Sequence, residues 1–174
     1  VILFDSKNGT KEVEEALDVL NTIDWYKLHK SPFNNHFADW KNLLTSLCTG
    51  DYIYQIDADE LINEDLFEYL PSILEQNEEV DVYRVPRINT VKGLTQEHIQ
   101  KWGWRVDEKG WVNFPDYQWR IYKNNGKIKW KNKVHEVLEG YKTLTALPTE
   151  EIYCLIHEKT IERQEKQNSY YNTL

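Results

Sequence analysis

The chain has 174 residues, 40% of them hydrophobic, which suits one domain with a sizeable core. A formal net charge of -8 argues against nucleic acid and against anionic bilayers as general partners. No apolar run is long enough to span a membrane and no signal-peptide pattern is read, so membrane association is expected to be peripheral at most. Cys48 and Cys154, the two cysteines, each sit in an apolar stretch and are expected as buried thiols, in keeping with a cytoplasmic setting.

Residues 1–4 predict a buried strand that stops at Asp5, followed by a polar loop with Gly9. Thr10 is placed to cap a helix whose apolar positions, Val13, Ala16, Leu17 and Leu20, recur at helical spacing. A second short strand is expected over 25–28 and a loop over 32–35. Between 36 and 48, Phe37, Trp40, Leu43, Leu44 and Leu47 mark an amphipathic helix that Gly50 stops. Residues 52–56 are strand-like and end at Asp57. A helix over 64–74 is expected to turn Leu66, Phe67, Leu70, Ile73 and Leu74 inward, and 80–85 alternate as a strand. Strand and helix thus take turns through the first half, which predicts an α/β fold with a mainly parallel, Rossmann-like sheet covered by helices on both faces. Ligands of such sheets bind beyond the carboxyl ends of the strands, a rule that would put Asp5 and Asp57 in one crevice.

The second half changes character. Residues 93–109 predict a helix and a mobile loop carrying Trp102 and Trp104. Short strands follow over 118–123, 127–130 and 134–138, joined by turns such as Asn124-Asn125-Gly126. Residues 152–156 read as a buried strand ending at His157, and a charged helix starts at Thr160. No linker divides the chain, so a single domain over 1–174 is expected. It opens directly on strand residues and contains no methionine, as expected of a piece of a longer protein.

The sharpest chemical feature is the run Gly50-Asp51-Tyr52-Ile53-Tyr54-Gln55-Ile56-Asp57-Ala58-Asp59-Glu60, where a buried strand leads straight into three acids. Carboxylates crowded at a strand end repel one another unless a cation sits among them, and Mg²⁺ or Mn²⁺ prefers such oxygen ligands. A solvated acidic turn capping the next helix is the plainer alternative.

Residues 33–60, FNNHFADWKNLLTSLCTGDYIYQIDADE, resemble the family 2 glycosyltransferases, whose pattern runs from an Arg-Asn pair on a helix, through Gly-Asp, to a hydrophobic strand closed by Asp-Ala-Asp. Lys41-Asn42 stands in the Arg-Asn place and keeps the charge without the bidentate fork. Phe4-Asp5-Ser6-Lys7-Asn8-Gly9-Thr10 is similar to the family's Asp-x-Ser-x-Asp-Gly-Thr stretch, with Asn8 in place of an acid. The family's first strand and its Pro-x-x-Asn loop would lie before Val1. Further on, Phe114-Pro115-Asp116-Tyr117-Gln118-Trp119-Arg120-Ile121-Tyr122, Lys133-Val134-His135-Glu136 and Leu155-Ile156-His157 look like segments of the bacterial and viral members related to lipopolysaccharide-core transferases.

This resemblance implies a GT-A fold, with a nucleotide-binding half over about 1–90 and an acceptor-side half, carrying a smaller mixed sheet, over about 91–174. It implies transfer of a sugar from a nucleoside diphosphate donor, UDP-linked, to a hydroxyl of a glycan or lipid-linked acceptor, with inversion. Asp5 would pair with the nucleotide base and Asp57 would face the ribose. Lys41 and Arg120 would lie along the diphosphate, His135 would either orient Glu136 or contact the diphosphate, and Asp59 and His157 would hold Mn²⁺ or Mg²⁺. Glu136, or failing that Asp116, would take the acceptor proton. A structural ion pair to Arg120 or to a lysine is the competing account of Glu136, and a salt bridge that of Arg120. Two other functions stay open: a sugar-phosphate nucleotidyltransferase, for which no Gly-rich basic loop is visible, and a carbohydrate-binding relative without catalysis. A bacterium or a virus-infected cell is the expected source.

Overall fold

The computed structural model describes residues 1–171. They form two compact units, one built from Val1–Asp51 and Asn124–Gly140, the other from Tyr52–Lys123 and the segment from Tyr141 onward.

In the first unit β1 (Ile2–Asp5) runs parallel to β2 (Leu28–Ser31), with α1 (Lys11–Leu20) as the crossover between them. Thr10 caps α1 as its position predicts, its hydroxyl accepting from the Val13 N–H at 3.4 Å, and Glu12 and Glu14 favour the positive end of the helix dipole. Gly9 closes the preceding loop because a Cβ there would run into the Phe4 ring. The second strand starts at Leu28 rather than ending there, and Trp25 is exposed, stacked on Tyr26.

Helix α2 (Phe37–Leu47) forms where expected but buries an unexpected face: Ala38, Lys41 and Thr45, while Leu43 stays exposed. That polar face packs on a hairpin of the same unit, β7 (Lys129–Lys131) with β8 (Val137–Glu139). Asn42 ties helix to hairpin through both ends of its amide, donating to the Trp130 carbonyl at 2.9 Å and accepting from the Trp130 N–H at 2.9 Å.

The second unit holds a six-stranded sheet in the order β3 (Tyr52–Tyr54), β6 (Asp116–Lys123), β5 (Val82–Lys92), β10 (Leu155–Thr160), β4 (Leu61–Ile62), with β9 (Leu144–Ala146) also on β5. Its centre is β5, whose eleven residues are long enough to seat two partners in succession. Residues 82–84 pair with β9 and residues 87–92 with β10, both parallel, while β6 runs antiparallel beside it. Pro86, which has no N–H to donate, falls between the two paired stretches. Leu66 and Leu70 of α3 (Glu64–Gln76), one turn apart, pack with Tyr83, Val85, Ile121, Leu147 and Leu155 into the core. Two more helices complete the unit, α4 (Gln96–Trp102) and α5 (Ile161–Tyr171).

The expected mainly parallel, Rossmann-like GT-A sheet is therefore corrected to a mixed one. β3 does not join β1 and β2 but pairs antiparallel with β6, and β4 is antiparallel to β10. Alternation of strand and helix counts elements without saying which strands become neighbours, and of the alternating first half β1-α1-β2 keeps the parallel crossover between consecutive strands. Smaller corrections follow. Phe67, expected inward, is 67% exposed because the core face of α3 is set by Leu66 and Leu70. His157 lies inside β10 rather than beyond its end, since residues 151–153 form a 3-10 turn and the strand starts later.

Candidate functional site

The run after β3 folds into a tight turn. The Asp57 carbonyl accepts from the Glu60 N–H at 3.0 Å, and the Glu60 carboxylate accepts from the Asp57 N–H at 3.1 Å. This sends the acids to different cations. Asp57 accepts from Arg120 Nη2 at 2.7 Å. Glu60, with a fully buried side chain, accepts from Arg120 Nε at 2.8 Å and Nη2 at 2.6 Å, and from Arg87 Nη1 at 2.8 Å. Asp59 faces His157 Nε2 at 3.3 Å and Arg163 Nη2 at 3.0 Å. Each carboxylate of the strand tip is thus neutralised by a side chain from β5, β6, β10 or α5.

The metal assignment is overturned on these grounds. Asp59 and His157, expected to hold Mn²⁺ or Mg²⁺, are engaged with each other, and the second nitrogen of His157 meets Asn89 Oδ1 at 2.7 Å. Among the described residues no group of three or more His, Cys, Asp or Glu side chains is arranged to hold a metal ion. Guanidinium groups and an imidazole occupy the electrostatic role that the sequence assigned to a divalent cation.

The bond to His157 holds the Asp59 carboxyl far below the ordinary carboxylate range, outweighing burial, which pushes it up, and Arg163 adds to the effect. A carboxyl depressed in the folded state lends stability that is complete above the unfolded value of about 4 and is lost as the pH falls toward the folded one. Denaturation midpoints measured from pH 6 to pH 2 should therefore fall, and Asp59→Asn should flatten that decline. An equal slope in the variant would remove Asp59 from the account.

Asp116 is joined to the same network. Its Oδ2 accepts from Arg87 Nε at 3.0 Å and Nη2 at 2.6 Å and from Asn89 Nδ2 at 2.9 Å, while Oδ1 accepts from Gln118 at 2.7 Å. Burial pushes its carboxyl up, but Arg87 and the amides hold it below the usual range. Beside Asp116 opens a cavity of about 180 Å³, lined by Arg87, Asn89, Trp104, Asp116, Lys159 and Gln164 among others. Strand register explains the convergence. Arg87, Asn89 and Val91 alternate onto one face of β5, and His157 and Lys159 of β10 stand opposite Asn89 and Val91.

The remaining expected site residues belong to the first unit. Asp5 closes its own loop, accepting from the N–H groups of Lys7 at 2.9 Å and Phe33 at 3.0 Å and from the Asn8 amide at 2.7 Å. Lys41 is buried against Glu136 at 2.6 Å, with its ammonium 4.6 Å from the centre of the Trp130 ring. Glu136 thus forms an ion pair with a lysine, the competing account of it, and Arg120 forms the salt bridge. His135 is exposed in the left-handed backbone region at φ 54°.

Sequence reasoning missed Arg87, Asn89, Lys159 and Gln164. The signal available was the polar pair Arg87 and Asn89, two apart within the Val- and Ile-rich β5, since polar groups at strand spacing inside an apolar run must meet partners in the interior. Among the described residues no helix is long and apolar enough to cross a membrane. No protein-family model matches the chain, and no curated protein matches it.

Proposed function

We propose that the chain moves a glycosyl group from a nucleoside diphosphate sugar, UDP-linked in the first instance, to an acceptor hydroxyl. The observation that carries this reading is the cavity of the second unit. Amide, carboxylate and guanidinium groups line it beside the Trp104 indole, a mixture that offers paired donors and acceptors to sugar hydroxyls and an apolar face to the ring. The ordered run of transferase-like segments adds support. In the reaction the acceptor O–H gives its proton to a carboxylate, its oxygen bonds the anomeric carbon, and the diphosphate leaves with the electron pair of the broken C–O bond.

The ion pairs of Asp116 with Arg87 and of Glu136 with Lys41 favour a second reading, a carbohydrate-binding relative without transfer. One assay separates them: release of UDP from a panel of UDP-sugars with an oligosaccharide acceptor, run in parallel with EDTA and with Mn²⁺. The expected result is release that EDTA leaves unchanged. Sugar binding without release gives the second reading, and pyrophosphate formed from UTP and sugar phosphate gives a nucleotidyltransferase. Absence of both binding and release would overturn the proposal.

A further inference from the structure

Lys159 is the residue of this cavity that the charge balance leaves over. Arg87 is matched by Asp116 and Glu60. Asp59 is matched by His157 and Arg163. Lys159, half-buried on β10, bonds the neutral Gln167 Oε1 at 3.1 Å and no carboxylate among the described residues. Burial pushes its ammonium down from the ordinary range, and Arg87 and Arg163 push the same way, against a weaker opposite pull from Asp59 and Asp116. A desolvated ammonium without a carboxylate gains most from an anion delivered into the space it faces. The lining also supplies neutral hydrogen-bonding capacity. Gln164, 8% exposed, gives its amide N–H to Asn168 at 2.8 Å, while its own oxygen meets no donor among the described residues. Asn89, also buried, has its amide committed to Asp116 and His157 and fixes the wall in place.

We infer that this cavity selects a monosaccharide unit bearing an acid group, with Lys159 binding the acid, the Gln164 oxygen accepting from a ring hydroxyl and Trp104 lying against the ring. The inference rests on the reading of the cavity as a sugar site and adds its substrate class. Lys159 is the specificity-determining residue, because a neutral sugar leaves its charge unanswered whereas an acidic one forms a charge-assisted bond out of water. Asp59 and Asp116 act on the ammonium only from a distance, and Asp116 is already bonded to Arg87.

The test is calorimetric or NMR titration of the full chain with free glucose, glucuronate, glucose 6-phosphate and inorganic phosphate. One of the two acidic sugars is expected to bind at least about tenfold more tightly than glucose, as one charge-assisted contact allows. Whichever binds more tightly names the acid as carboxylate or phosphate. Lys159→Gln should erase that preference and leave the weak glucose affinity in place, and Lys159→Arg should keep most of it. Circular dichroism of both variants checks that they fold. Equal binding of glucose and the acidic sugars overturns the inference, and so does a preference that survives Lys159→Gln. Tight binding of inorganic phosphate alone, without either sugar, overturns it too, as a bare anion site. If UDP release is observed in such a case, only the acidic specificity falls. If no sugar binds and no UDP is released, both readings fall.

Discussion

Replacing Arg120 with Met should destabilise the second unit by roughly 3–5 kcal/mol, the range for breaking a buried ion pair from one side. The side chain of Arg120 is 3% exposed and its guanidinium makes two bonds to Glu60, one to Asp57 and one to the Trp119 carbonyl. Met fills much of the volume but leaves the Glu60 carboxylate with Arg87 Nη1 and the Asp57 N–H, and with no charge beyond the one it shares with Asp116. The pH dependence makes the mechanism visible. In the parent chain burial pushes the Glu60 carboxyl up, and Arg120 and Arg87 more than reverse this, so it is held below the ordinary range. Its contribution is then complete above the unfolded Glu value of about 4.3 and lost below it. Without Arg120 the carboxyl rises from that depressed range, with Arg87 left to oppose burial. The gap between parent and variant should therefore open as the pH climbs from the parent's depressed folded value, below about 4.3, and be complete once the variant's carboxyl is ionised too. Urea denaturation at several pH values measures this. Adding Glu60→Gln to Arg120→Met should return part of the loss by removing the stranded charge. A loss below about 1 kcal/mol, or a gap that does not change with pH, would show that Arg120 is not what holds these acids together.

The same network explains what the sequence could and could not disclose. Helices were legible: Thr10, the spacing in α2 and the pattern of α3 are local signals, and local signals survive into structure. Strand partners were not, because β3 has three residues and the choice between β1 and β6 as its neighbour depends on residues about 70 positions away. The face of α2 was misjudged for a related reason. Hydrophobic periodicity assumes that apolar side chains go inward, whereas Lys41 and Asn42 are drawn in by Glu136 and by the Trp130 backbone. The acidic run was legible as a place where charge must be neutralised. Its neutralising agent was not, since a guanidinium from a distant strand and a bound metal leave the same local pattern of acids. Arg120 was visible as a charged residue in an apolar strand, and that observation alone, pressed further, favoured an internal ion pair.

Asp116→Asn should lower kcat/KM for glycosyl transfer by about 10²–10⁴-fold, the usual contribution of a positioned base. Of the two carboxylates considered for the acceptor proton, Asp116 lines the cavity that carries the sugar-binding reading. Its hydrogen bonds to Arg87, Asn89 and Gln118 fix the carboxylate and keep it ionised to lower pH than a free one. That makes it a weak base, but one present in the active form throughout the neutral range. The acid limb of the kcat/KM profile should accordingly lie below the ordinary carboxylate pKa near 4. Because the substitution also disturbs the Arg87 pair, thermal midpoints must accompany the kinetics. A collapse of kcat with donor KM retained, in a variant that stays folded at the assay temperature, identifies lost chemistry rather than lost structure. Glu136→Gln is the parallel arm. Its carboxylate is committed to Lys41 at 2.6 Å, so the expected effect is on the stability of the first unit with turnover largely kept. If Glu136→Gln abolishes transfer while Asp116→Asn spares it, the base is Glu136. Asp116 is then a structural anion that orients Arg87, and the cavity beside it has no part in the chemical step.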